Sequence, residues 1–389
     1  MARTTQMPLA CPYVHWHVSG TISVGRATNG RSYWKIFSEV TMTLLGSVSE
    51  RIGMSAPKPR LRVVQENERP APNAAATRTA RPEALGKFIG QSSVVFNLMV
   101  ECEAATMEQR LPDHILLEGP AGLGKTSLAR CVAERLGMRF VEIPATSLDK
   151  VNEVANALAK IGEPEDGPAV VFVDEIHGVC KKGQLLMLSA LEDGWFQPSG
   201  AQRFDLAPFC MIAATTNPGL LSRPLRERFG IHEALTYYSL TEMTRIIRRY
   251  ADKQGVKLGV GAAALIASVG RGTPRVATAL LRRIAVFAKV GGVEVVTVAG
   301  AREALERLGI DDYGLDNQDR TILRALLNQS RPIGVEALAA LLGIDNDAIT
   351  QREPYLLRCG AMQRSGRGRV LTRKGYRMLG ETAPVWIPA

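Results

Sequence analysis

Between residue 81 and about residue 236, short apolar runs alternate with stretches long enough for helices. The runs lie at 114–117, 139–143, 169–173 and 210–214, and they predict the strands of a mostly parallel sheet flanked by helices. Ala169-Val170-Val171-Phe172-Val173 has no polar interruption, the signature of a strand covered on both faces. From 237 to about 312 the period changes. Ile246, Ile247 and Tyr250 recur at helix spacing, as do Leu265, Ile266 and Val269, and Val276, Leu280, Ile284 and Phe287. An all-α domain is expected there. Residues 313–380 predict helices near 317–328, 334–342 and 347–358, then strands at 361–364 and 368–371 around Ser365-Gly366-Arg367-Gly368. Three helices followed by a hairpin describe a winged helix, leaving 381–389 as a tail. Residues 1–56 show little periodicity, and 55–80 are rich in Pro, Ala, Arg and Asn, a linker composition. Met54 opens Met-Ser-Ala-Pro-Lys-Pro-Arg, a natural start, so residues 1–80 are expected to be a disordered arm and linker, or in part an over-extended reading frame.

The strand ends carry the chemistry. Residues 119–126 read Gly-Pro-Ala-Gly-Leu-Gly-Lys-Thr, directly after the first strand and before a helical run to Leu136. This is the spacing of a phosphate-binding loop. Gly119, Gly122 and Gly124 let the backbone approach a polyphosphate, whose charge Lys125 neutralises; the Thr126 hydroxyl, with Ser127 beside it, faces a Mg²⁺ ion. Asp174 and Glu175 end the third strand, the first expected on Mg²⁺ through water and the second on the attacking water. Met211-Ile212-Ala213-Ala214-Thr215 ends in Thr216 and Asn217, candidates for sensing the γ-phosphate. Arg226, in Arg223-Pro224-Leu225-Arg226-Glu227-Arg228, is a candidate finger reaching the phosphates of a neighbouring subunit. Pro274 and Arg275 open a helix of the second domain from which Arg275 can reach the same nucleotide. ATP and Mg²⁺ are the expected cofactors.

The net charge is +10, and residues 358–377 hold seven basic side chains and no acidic one. Charge so focused on a hairpin points to a polyanion, with Arg364, Arg367, Arg369 and Arg373 as phosphate contacts on DNA. Six scattered cysteines without a C-x-x-C pair suggest reduced thiols in the cytoplasm. Cys11, His15 and His17 imitate a metal site but lack a second cluster of ligands. No apolar run approaches a membrane span.

In this order the motifs resemble the AAA+ ATPases, and across 81–380 they resemble the RuvB family of Holliday-junction branch-migration motors. The resemblance is carried by Arg81-Pro82 with Phe88-Ile89-Gly90-Gln91, by 119–126, by Val173-Asp174-Glu175-Ile176-His177 and by Pro224-Leu225-Arg226-Glu227-Arg228-Phe229-Gly230. It continues through Arg271-Gly272-Thr273-Pro274-Arg275, Leu281-Arg282-Arg283, Pro354-Tyr355-Leu356-Leu357 and Arg367-Gly368-Arg369-Val370. It implies an α/β AAA+ core, a helical lid and a winged helix. It also implies a homo-hexameric ring on double-stranded and branched DNA, hydrolysing ATP between subunits. Phe88 and Ile89 would pack near adenine, Arg226 would be the finger and Arg275 the lid-side sensor. Three departures stand out and suggest a divergent member, the first being an N-terminal arm with no family counterpart. The segment 193–209 is shorter than the family's hairpin for its junction-binding partner RuvA, which puts dependence on a RuvA-like protein in question. Asn217-Pro218 stands where the family has Arg-Ala. A loader or remodeller of proteins on DNA, and a DNA-binding protein that uses ATP only as a switch, remain the alternatives.

Overall fold

The computed structural model describes residues 84–385, except 146–147, 199–201, 328 and 330, together with 14–16 and 22–24. The chain divides into two units, residues 1–74 and 75–389. In the first, the described residues form one antiparallel ladder, Val14–Trp16 with Ile22–Val24. The rest of the expected arm and linker, Cys11, His17, Arg81-Pro82 and residues 386–389 lie outside the described residues.

The second unit is built on a five-stranded parallel sheet of β1 (Ile115–Glu118), β2 (Arg139–Pro144), β3 (Ala169–Asp174), β4 (Phe209–Thr215) and β5 (Ile231–Ala234). The order across the sheet is β2-β3-β4-β1-β5. Strand residues alternate between two apolar layers, as the pleat requires. Ile115, Leu117, Val170, Phe172 and Ile212 face one layer, with helix α1 (Ser92–Met107) and helix α2 (Lys125–Leu136). Leu116, Val171, Val173, Met211 and Ala213 face the other, with α3 (Val151–Ala159) and α4 (Lys181–Asp193). The short helix α5 (Arg223–Glu227) follows β4. β1, β3 and β4 are neighbours, so their carboxyl ends share one edge, where open parallel sheets bind ligands.

The lid contains α6 (Leu240–Gln254), α7 (Ala262–Val269), α8 (Pro274–Val290) and α9 (Val298–Arg307). Ser239 opens α6 with a capping box: its hydroxyl accepts from Glu242 N, and the Glu242 carboxylate accepts from Ser239 N. Met243, Ile247, Ile266 and Leu281 join the apolar layer that covers α1 and α2. Lid and nucleotide loop therefore rest on one continuous core.

The C-terminal region has α10 (Asn317–Leu327), α11 (Val335–Leu342) and α12 (Asn346–Arg358), then the hairpin β6 (Met362–Ser365) and β7 (Gly368–Leu371), and α13 (Arg373–Met378). Leu323, Leu338, Ile349, Leu356 and Met362 form its own core. The short parallel ladder Lys257–Leu258 with Val295–Val296 in the lid was not anticipated, and neither were β5 and α13. β5 is an edge strand whose residues alternate between half-buried and exposed, Ile-His-Glu-Ala, so no apolar run announces it. α13 is a single capped turn after Thr372, set among basic residues that suggested only a charged surface.

Candidate ATP site and nucleic-acid interface

The loop 119–124 is shaped by what crowds it. Gly119 has φ 133°, and a Cβ there would lie 2.6 Å from the Leu235 carbonyl oxygen. Gly122 has φ 80°, and its Cβ would strike Arg275 Cβ at 2.8 Å and Thr273 at 2.9 Å. Side chains are thus excluded both by backbone conformation and by the lid segment lying on the loop. Gly124 leads into α2, and Phe88 stands 3.2 Å from where its Cβ would be. Phe88 and Ile89 are half-buried at this end. Lys125 is buried, and its ammonium donates to the carbonyls of Gly119 (2.6 Å) and Pro120 (3.1 Å). Burial pushes its pKa down, against the pull of Glu175 and Asp174. A buried cation held only by two carbonyls gains strongly from an anion. Thr126 and Ser127 follow, half-buried, in the first turn of α2.

At the end of β3, burial and then the Glu175 charge raise the Asp174 pKa, against Lys125 and Arg275. An acid whose charge is disfavoured, at the same edge as the Thr126 hydroxyl, is a hard oxygen donor set that fits a cation sharing phosphate ligands. Glu175 has φ 52°, a left-handed conformation uncommon outside glycine. Its Oε2 accepts from Thr216 N (3.0 Å) and Thr216 Oγ1 (2.9 Å), and His177 Nδ1 lies 3.2 Å away. The same His177 nitrogen is 3.0 Å from Thr215 Oγ1, which also accepts from Asn217 N. Thr216 therefore holds the Glu175 carboxylate, while the exposed Asn217 opens the next turn.

Each arginine of 223–228 is ion-paired within the chain. Arg223 meets Glu227 at 2.7 Å, Arg226 meets Glu118 at 3.1 Å, and Arg228 meets Glu192. Arg226 is 46% exposed, and such surface pairs are worth only about 0–1 kcal/mol, so its guanidinium exchanges partners easily. Pro274 is the first residue of α8, and the Arg275 backbone N–H reaches Gly122 O at 3.4 Å, with the Arg275 side chain exposed.

The hairpin of the winged helix corrects one expectation. Arg364 and Arg367 are exposed, as is Arg373 at the start of α13. Arg369 is not: its side chain is 8% exposed and bonds Glu353 at 2.7 Å, itself 4% exposed. Its backbone also pairs with Ile333. Arg369 is thus an internal strut of the domain rather than a phosphate contact, because the alternation along β7 turns it toward α12. The segment after α4 forms a small hairpin, Trp195–Phe196 with Phe204–Asp205, in which Phe196 stacks on Phe204 and Arg203 covers Trp195.

Family models match nearly all of the second unit. The P-loop domain of the Holliday junction DNA helicase RuvB matches residues 80–235, the RuvB AAA lid 238–311, and the RuvB C-terminal winged helix 312–380. The chain belongs to the RuvB family. It is 40% identical over 314 residues to the Holliday junction branch migration complex subunit RuvB of Kosmotoga olearia, covering 78% of this chain and 91% of that protein. The RuvB subunit of Granulibacter bethesdensis is 41% identical over 320 residues, 80% of this chain and 88% of that one. Among solved structures, the Thermotoga maritima RuvB Holliday junction branch migration motor superposes with a TM-score of 0.70 at 39% identity, covering 78% of this chain and 99% of that chain.

Three residues of this RuvB-family site carry contacts that the motifs did not specify. Tyr238 is buried and donates to the Leu123 carbonyl at 2.7 Å, inside the phosphate loop, with its phenol pushed up to about 12 by burial. Gln91 clamps the strand-to-lid connection through both amide atoms, donating to Thr236 O and accepting from Thr236 N. His177 bridges Glu175 and Thr215. Two of them stand in segments that carry the resemblance, Gln91 in Phe88-Ile89-Gly90-Gln91 and His177 in Val173-Asp174-Glu175-Ile176-His177, and packing or a local hydrogen bond is the role expected of His177. Leu123, Thr236 and Thr215 lie far along the chain from the residues they meet, which a local pattern does not reveal; only the Glu175 contact of His177 is local. Among the described residues no group of three acidic, His or Cys side chains is placed to hold a metal by itself, and no helix is long and apolar enough to cross a membrane.

Proposed function

We propose that this chain is an ATP-driven motor that moves the branch point of four-way DNA junctions in recombination and repair, as a homo-hexameric ring that hydrolyses ATP between subunits. The observation that carries the reading is the contact of the lid segment 273–275 with the phosphate loop, in a unit that also carries a winged helix with exposed arginines. A bare nucleotide switch has no use for Glu175, or for a finger-like Arg226 beside the loop.

In this reading the loop amides and Lys125 bind the β- and γ-phosphates of ATP, and Phe88, Ile89 and Pro274 flank the base. Thr126, and Asp174 through water, would hold Mg²⁺, which when bound would supply charge neutralisation on the phosphates. Thr216 holds the Glu175 carboxylate where it can accept a proton from water. Arg226 leaves Glu118 for the nucleotide of the adjacent subunit, and Arg275 closes from the lid. Arg364, Arg367 and Arg373 contact the DNA backbone. A motor working on DNA junctions would act in the cytoplasm. The relatives' names specify a branch migration complex, so a RuvA-like junction-binding protein is the natural partner. The short hairpin at 195–205 presents a smaller surface for it.

Subunit mixing tests the ring. Arg226→Ala and Glu175→Gln proteins, each inactive alone, regain ATP turnover when mixed, because one supplies the finger and the other the catalytic acid. Mixtures as inactive as their components would refute hydrolysis between subunits.

A further inference from the structure

We propose that Arg358 is a positioning residue that ties the winged helix to the lid loop resting on the phosphate loop, so that nucleotide state sets DNA affinity. The proposal rests on the reading that the winged helix carries the DNA.

The path is physically continuous. Tyr237 and Tyr238 are adjacent residues with different duties. Tyr238 donates to Leu123 O in the phosphate loop, and its own N–H donates to Gly272 O at 3.1 Å. The Tyr237 ring lies flat under the Arg358 guanidinium, 3.4 Å from ring centroid to Cζ. Arg358 also donates to the carbonyl of Arg271. Arg271, at φ 57°, heads the loop that continues through Thr273 to Arg275, the residues that crowd Gly122.

The other side of the seam is firmly built. The Arg271 guanidinium bonds Asp319 at 2.5 Å and Gly314 O at 3.0 Å, and stacks over Tyr355. Asp319 is fully buried and also takes Arg352 at 2.8 Å, which pairs with Asp316 at 2.7 Å. This cluster welds α10 and α12 to the loop. Asp319 is the hub of the cluster, and its loss would take the shared buried acid from both arginines, so the cluster is a structural joint. Arg358 differs. It is exposed on one side, it is the last residue of α12 at the root of the β6–β7 hairpin, and it rests on Tyr237, with the Tyr355 ring farther off at 5.5 Å. A shift of Leu123 when nucleotide enters is passed through Tyr238 to Tyr237, and through Arg358 to the hairpin.

The test is duplex DNA affinity of the full chain, without nucleotide and with a non-hydrolysable ATP analogue. The wild type changes affinity by about fivefold or more, in the usual range of coupling between sites. Arg358→Ala brings the ratio to within about twofold of unity, while nucleotide-free DNA affinity and DNA-independent ATP turnover stay within about twofold of wild type. Tyr237→Leu removes the stacking partner from the other side and gives the same collapse. Arg358→Lys keeps the charge without the planar stack and falls between. By reciprocity, the effect of DNA on analogue affinity shrinks by the same factor. A wild-type ratio retained by both Arg358→Ala and Tyr237→Leu overturns the proposal, as does a wild-type ratio of one. Arg367→Ala in the same assay separates the two levels. If it leaves DNA affinity and its salt dependence unchanged, the wing reading itself has failed, and the proposal with it.

Discussion

At the nucleotide end a buried lysine is turned onto the carbonyls of Gly119 and Pro120; at the winged-helix end the basic residues divide, Arg367 standing in solvent and Arg369 locked on Glu353. In the phosphate loop every residue's duty is set by its place in a short, crowded backbone path. Gly119 and Gly122 admit no side chain, and Lys125 is buried against the loop's own carbonyls. On the β6–β7 hairpin, by contrast, a run of similar residues is sorted by the pleat, and the acid that captures one of them comes from α12. Chemistry fixed by local backbone can be read from spacing. Chemistry fixed by which face a strand presents to a distant partner cannot.

Substitutions sharpen this contrast. The largest effect belongs to Lys125→Ala. Losing the central phosphate donor lowers ATP turnover by about 10²–10³-fold, with nucleotide affinity falling in a direct binding assay. Unchanged affinity would remove the loop from the site. Next comes Arg369→Ala, which leaves the buried Glu353 carboxylate with only the longer 3.7 Å approach of Arg364 and costs about 3–5 kcal/mol in thermal or denaturant unfolding. A variant of wild-type stability with weakened DNA binding would return Arg369 to the DNA-contacting set. The smallest effect is that of Arg367→Ala. It leaves stability unchanged and reduces the slope of log DNA affinity against log salt by about one unit. An unaltered slope would move the DNA contacts elsewhere.

The same distinction explains how much was legible beforehand. The strands ending at Glu118, Asp174 and Thr215 were visible because they are continuous apolar runs in a buried parallel sheet, and the lid helices because their apolar residues keep helical spacing. The edge strand Ile231–Ala234 was not, since only half of its residues turn inward. Within the site, the glycines, Lys125, Asp174 and Glu175 declared themselves by spacing. Tyr238, Gln91 and His177 act through carbonyls, amides and hydroxyls 38 to 145 residues away, and their identities carry no signal of it. The Arg271–Asp319–Arg352 joint is hidden for the same reason: its members come from three separate segments.

The central claim is that ATP bound at the sheet edge drives movement of DNA held by the winged helix. A synthetic four-way junction with migratable arms tests it most directly, incubated with the full chain, ATP and Mg²⁺, beside the Lys125→Ala protein. The account predicts ATP-dependent conversion of the junction into two duplexes by the wild type and none by the variant. Conversion that proceeds equally without ATP or with Lys125→Ala, or a wild type that turns over ATP on junction DNA yet leaves the junction intact even with a RuvA-like partner added, would contradict it.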